Sequence, residues 1–165
     1  MSKQSFRQLG VSAPVAAVLA ARSINHPFTI QELVLPDALQ GLDVLVRSPT
    51  GSGKTLAFAL PIVERTSAGD GRPSALVLVP TRELAAQVTA EFQPLAQAKG
   101  LRVAAAYGGV PIRSQAKSIK GAHILVATPG RLEDLTTRQH VDLSRVRTFV
   151  LDEADRMLDM GFQPQ

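Results

Sequence analysis

The chain has 165 residues, 45% of them apolar, which suits one domain with a packed core, and a net charge of +4 that is compatible with nucleic acid but is more often a solvated surface. It holds no Cys, which excludes disulfides, thiolate metal sites and a cysteine nucleophile, and its three His (His26, His123, His140) lack metal-ligand spacing. No apolar run reaches the roughly 18 residues of a membrane span and the N-terminus carries no signal-peptide core, so the expected setting is cytoplasmic, without a membrane partner.

Phe6 to Leu9 is a short lead with apolar residues. Ser12-Ala13-Pro14 predicts a helix start, with Ser as N-cap and Pro in the first turn, running to about Ala21. After a connection at Ser23 to Pro27, Thr29-Ile30-Gln31-Glu32 fits a capping box with Thr29 as N-cap. Leu33, Leu35, Ala38 and Leu39 then give an apolar face up to Gly41, with a bend expected at Pro36. From Asp43 onward five short apolar runs alternate with helical patterns: Val44–Val46, Ala75–Val79, Val103–Ala106, Ile124–Ala127 and Val146–Leu151. Continuous hydrophobicity is what a strand covered on both faces needs, and strands separated by helices imply crossovers and parallel pairing. The fold class is therefore α/β, a mostly parallel sheet with helices on both faces. Ser67 to Pro73 reads as a surface loop, and His123, opening an apolar run, as structural.

The first strand feeds Ser48-Pro49-Thr50-Gly51-Ser52-Gly53-Lys54-Thr55, and an apolar helical pattern leaves it. Gly51 and Gly53 have no Cβ, so backbone N–H groups there, with that of Ser52, can close on an anion, and the helix start adds its own free N–H groups. Lys54 supplies charge for the β- and γ-phosphates of a nucleotide, and the Thr55 hydroxyl suits Mg²⁺. The usual phosphate-loop pattern opens with Gly, and this one opens with Ser48.

The other strands end in Pro80-Thr81-Arg82-Glu83-Leu84-Ala85, Tyr107-Gly108-Gly109, Thr128-Pro129-Gly130-Arg131 and Asp152-Glu153-Ala154-Asp155. Parallel sheets bind ligands at the carboxyl ends of their strands, so all five segments should line one edge. Asp152, at the end of a buried strand, can hold Mg²⁺ directly or through water, and Glu153 can orient or deprotonate an attacking water. By itself the same turn could be only an acidic helix start.

These residues together resemble the N-terminal RecA-like domain of the DEAD-box RNA helicases. The resemblance covers nearly the whole chain, in order. Gly51 to Thr55 resembles motif I, Pro80 to Ala85 motif Ia, Gly108-Gly109 the double-glycine element, Thr128 to Arg131 motif Ib, and Asp152-Glu153-Ala154-Asp155 spells motif II. Pro27 to Gln31 resembles the adenine-reading Q motif, with Phe6 at the place of the family's upstream aromatic. The sequence departs from the common pattern at Ser23, where Gly is usual, and at Phe28, where Thr is usual.

The resemblance implies a RecA-like P-loop fold and two cofactors, ATP and Mg²⁺, with Lys54, Asp152 and Glu153 catalytic and Thr55 and Asp152 on the metal. Gln31 would pair with adenine N6 and N7, favouring ATP over GTP. Phe6 would stack on the base, although burial in the core is the other reading of that ring. The implied RNA track is Pro80, Thr81, Arg82, Gly108, Gly109, Thr128, Pro129, Gly130 and Arg131, touching phosphate and sugar without sequence specificity. Residues 1–41 would be a Q-motif region and 42–165 a partial RecA-like ATP-binding domain. The family's Ser-Ala-Thr motif and second RecA-like domain lie outside these residues. The strand bearing that motif would sit between the phosphate-loop strand and the acidic-turn strand. The chain alone is thus expected to be marginally stable, to bind nucleotide weakly and neither to hydrolyse ATP usefully nor to unwind duplexes. A nucleotide- and RNA-binding module without chemistry, a small-molecule NTPase and a DNA helicase are the alternative readings.

Overall fold

The computed structural model describes residues 3–161. Four strands, β1 (Ala75–Leu78), β2 (Val103–Ala106), β3 (Ile124–Ala127) and β4 (Thr148–Leu151), form one sheet in the order β2-β3-β1-β4. Every pairing is parallel, with Ala75 opposite both Ile124 and Thr148, and Val103 opposite Ile124. The register sends alternate side chains to opposite faces. Ala75, Val77, Ile124 and Val126 enter one core, shared with α1 (Ala13–Ala21), α2 (Thr29–Leu39), α3 (Lys54–Arg65) and α4 (Arg82–Ala98). Leu76, Ala104, Ala106, Leu125 and Ala127 enter the other, under α5 (Ile112–Ile119) and α6 (Pro129–Thr137). A last short helix, α7 (Ala154–Asp159), follows β4. Helices cover both faces, as the uninterrupted apolar runs require.

One expected strand is not there. Residues 42–49 form no strand, and Leu42, Val44 and Leu45 are exposed, Leu45 completely. A strand needs a ladder partner for its backbone groups. Among the described residues none pairs with Val44–Val46, and the outer edge of β4 is likewise unpaired, with Phe149 exposed. Apolar character alone does not make a strand when neither edge finds a neighbour.

The N-terminal helices start differently from expectation in detail. Ser12 is the N-cap of α1 but makes no side-chain cap; its hydroxyl donates to Glu64 Oε1 at 2.7 Å, tying α1 to α3. Phe28, not Thr29, occupies the N-cap of α2, and the reciprocal acceptor is Gln31, whose Oε1 takes the Phe28 N–H at 2.9 Å. Glu32 has no part in it. His123 is buried: its Nδ1 accepts the Arg102 N–H at 3.0 Å, so Nε2 carries the proton and donates to Ala68 O at 3.0 Å. This histidine is structural, fastening the Ser67–Pro73 loop to β3.

Candidate functional site

Parallel pairing puts the carboxyl ends of β1 to β4 and the segments following them at one edge. The candidate residues form two groups, and the first is built around the phosphate loop, which follows no strand. Gly51 and Gly53 have φ of +80° and +87°, the left-handed region that favours glycine. A Cβ on Gly53 would stand 2.6 Å from Gln31 Nε2 and 2.7 Å from Phe28 Cδ2, so this position has no room for a side chain. Gly51 instead faces open space, where an anion has free approach. Gly53 is the N-cap of α3, which makes Lys54 and Thr55 its first two residues. The Ser48 hydroxyl, where the usual pattern has Gly, donates to the Ser52 hydroxyl at 2.5 Å across the loop.

Gln31 is 2% exposed and binds at both ends of its amide. Its Nε2 donates to Gly53 O at 3.0 Å and its Oε1 accepts from Phe28. One N–H and one lone pair are left over. Beside it lies a cavity of about 590 Å³ walled by Lys3, Pro27, Phe28, Ile30 and the loop residues Ser48, Gly51 and Ser52. Phe6 is not among its walls. That ring is 3% exposed and packs in the core with Val11, Val15 and Leu35, which fits the packing reading of Phe6. The exposed aromatic at the cavity is Phe28.

At the end of β4, burial raises the Asp152 carboxyl above the ordinary carboxylate value, and the positive charge of Lys54 pulls the other way. Glu153, the N-cap of α7, sits at φ 55° and ψ 49°, left-handed for a non-glycine residue, and accepts a 3.3 Å bond from Arg156 Nη1. Such a conformation costs on the order of 1–3 kcal/mol and is characteristic of functional turns.

The second group joins the other three segments. Thr81 is the N-cap of α4, its hydroxyl accepting the Leu84 N–H at 3.2 Å, and Pro80 before it is buried. Arg82 is exposed, its guanidinium 5.7 Å from the Tyr107 ring centroid and packed against the Cα of Gly109, where a Cβ would collide with it. Gly109 has φ of +84°, and Gly108 beside it is exposed. Thr128 is the extended N-cap of α6, Pro129 its first residue, and Gly130 is open to solvent. Arg131 Nη1 donates to Val110 O at 2.8 Å and to Gln115 Oε1 at 2.7 Å. Gln115 in turn donates from Nε2 to Tyr107 O at 2.9 Å.

Gln115 is a residue the sequence reading missed. It is 6% exposed, bonds Tyr107 O on one side of Gly108-Gly109, and through Arg131 is linked to Val110 O on the other. The signal was present: Ile112, Gln115, Ala116 and Ile119 follow the helical spacing of a buried face, and a Gln in such a series must have partners. What these residues offer chemically is a glycine loop with a lysine, carboxylates in the turn after β4, and helix starts that carry guanidinium charge at Arg82 and Arg131.

The sequence matches the DEAD/DEAH box helicase family model over residues 28–165. It is 44% identical to the DEAD-box ATP-dependent RNA helicase 52A of Oryza sativa subsp. japonica, over 97% of this chain and 29% of that protein. It is also 44% identical to the DEAD-box ATP-dependent RNA helicase CshA of Streptococcus pneumoniae, over 95% of this chain and 30% of that protein. Among solved structures, a DEAD box protein from Methanococcus jannaschii superposes with a TM-score of 0.90 at 40% identity, over 95% of this chain and 43% of that one. The yeast DEAD-box splicing factor Prp28 superposes with a TM-score of 0.86 at 34% identity, over 97% of this chain and 40% of that one. The chain thus spans about 30% of the length of these curated relatives.

Proposed function

The chain belongs to the DEAD/DEAH box helicase family, with a RecA-like α/β fold, and on that premise we propose that it is the ATP- and RNA-binding part of an ATP-dependent RNA helicase working in the cytoplasm. The observation that supports this reading is the bond of the Gln31 amide to Gly53, in the glycine loop that opens α3 at Lys54. Phosphates fit the glycine loop and the start of α3, with Lys54 as their point charge. Gln31 keeps one donor and one acceptor, the pair that matches adenine N7 and N6.

The donor set suits Mg²⁺: a hydroxyl at Thr55 and a desolvated carboxylate at Asp152, both hard oxygen donors. When bound, the ion would supply charge neutralisation at the phosphate oxygens. Glu153 is then the residue to hold and deprotonate the attacking water, released from Arg156 for that purpose. Residues 1–41 serve base recognition and 42–165 carry the phosphates and the RNA.

RNA would lie along Thr81, Arg82, Gly108, Gly109 and Thr128 to Arg131, through backbone N–H groups and guanidinium charge. Arg131 keeps its charge but offers fewer free N–H donors than its place in the motif implies, because Nη1 is already bound within the protein. Unwinding belongs to this domain joined to the family's second RecA-like domain. The test is ATP hydrolysis by the full-length protein with and without single-stranded RNA. Stimulation by RNA that disappears in Lys54→Ala and Glu153→Gln supports the reading. Hydrolysis indifferent to RNA would remove the RNA half of it, and a Lys54→Ala protein of normal rate would remove the ATP half.

A further inference from the structure

We infer that Phe28 is the aromatic residue that stacks on the nucleotide base and so helps to set base affinity in this protein, an inference that rests on the nucleotide reading above. Phe28 is 59% exposed, although water disfavours an aromatic ring of this size. It is the exposed aromatic on the wall of the cavity of about 590 Å³ beside the phosphate loop. The ring is not mobile by default. Its backbone N–H is bound by Gln31 Oε1, and its edge leans on Gly53, where a Cβ would come within 2.7 Å of Cδ2. Base edge and base face are thereby offered by neighbours: the spare amide groups of Gln31 and the free side of the Phe28 ring.

Local rules argue in the same direction. Phe28 occupies the N-cap of α2, where a Ser, Thr or Asp would stabilise the helix and where phenylalanine supplies no acceptor. The chain gives up a cap and exposes a large apolar ring at the same residue. Breaches of this kind concentrate at functional positions. Phe6, the other aromatic in reach by sequence, is taken up by the core. A purine is the ligand whose flat, polarisable face such a ring fits.

The experiment is a pair of calorimetric titrations, ADP and inorganic pyrophosphate, on the protein and on Phe28→Leu and Phe28→Tyr. Stacking on an aromatic ring predicts ADP binding weaker by roughly tenfold or more in Phe28→Leu. Pyrophosphate, which has no base, should bind Phe28→Leu as it binds the parent, and Phe28→Tyr should restore ADP. Unchanged ADP affinity in Phe28→Leu overturns the inference. So does an equal loss of ADP and pyrophosphate, which would make Phe28 a support for the phosphate loop. A parent protein that binds ADP no better than pyrophosphate overturns the nucleotide reading itself, a separate result. Because the chain has no Trp, Phe28→Trp adds an indole with no other in these 165 residues. Its fluorescence should respond to ADP and not to pyrophosphate; a response to neither, with ADP bound, contradicts the stacking.

Discussion

Gln31 and Gly53, 22 residues apart, are joined by a 3.0 Å hydrogen bond from the side-chain amide to the carbonyl that opens helix α3. The residue proposed to read the base thus also holds the loop proposed to bind the phosphates. Gln31→Ala removes that bond and the one to the Phe28 N–H together. Leaving these groups unpaired costs about 1–3 kcal/mol. The ligand-free protein should melt lower by roughly 2–4 °C for each kcal/mol lost in a chain of this length. Gln31→Glu, which sets an oxygen against Gly53 O, should weaken pyrophosphate binding as well. Calorimetric melting and a pyrophosphate titration check the pair.

Asp152 makes stability depend on pH. Burial raises its carboxyl in the folded state, so the folded protein keeps that proton to higher pH than the unfolded chain does. Stability from this group is complete below the ordinary value of 3.8 and falls as pH rises through the folded value. At pH 7 the ionised carboxylate is therefore a net cost, offset in part by Lys54. Asp152→Asn should be more stable than the parent at pH 7, and the gap should close as pH falls below 3.8. Urea unfolding across pH 3.5–7 is the measurement; an Asn variant less stable at neutral pH would contradict the assignment of burial as the larger effect.

Gln115 should matter to RNA and not to nucleotide. Gln115→Leu preserves size but frees Tyr107 O and Arg131 from their bonds. RNA affinity should fall severalfold, with ADP affinity unchanged. The salt dependence separates shape from charge. Arg82→Ala, which deletes a cation, should flatten the slope of log affinity against log salt by about 0.7, the single-strand value for one phosphate contact. Gln115→Leu should leave that slope alone. Fluorescence anisotropy with a labelled single strand over a salt series distinguishes the two.

His123 is the control for a residue buried away from the working edge. His123→Leu strands the Arg102 N–H and Ala68 O, at a cost of about 1–3 kcal/mol. Chemical unfolding should show that loss, while affinities for ADP and RNA stay at parental values.

The parallel sheet was legible because each of β1 to β3 is an uninterrupted apolar run, β4 adds three apolar residues after Thr148, and each is followed by a turn with its own chemistry. The phosphate loop and acidic turn were legible for the same reason: residues adjacent in sequence build them. What escaped depends on distant partners. Val44–Val46 has the composition of a strand, but pairing is supplied by a neighbour, and no described strand flanks it. Phe6 is buried and Phe28 exposed because burial of a ring is decided by the helices packed around it. The bonds of Gln31 to Gly53 and of Gln115 to Arg131 span 22 and 16 residues, and a motif does not print such pairings.

The most direct test of the account is a titration of ADP against GDP on the protein and on Gln31→Ala. Adenine reading by the spare amide groups of Gln31 predicts tighter binding of ADP, with the preference erased in the variant. Equal binding of ADP and GDP by the parent protein would contradict the account, leaving a phosphate loop that does not read its base.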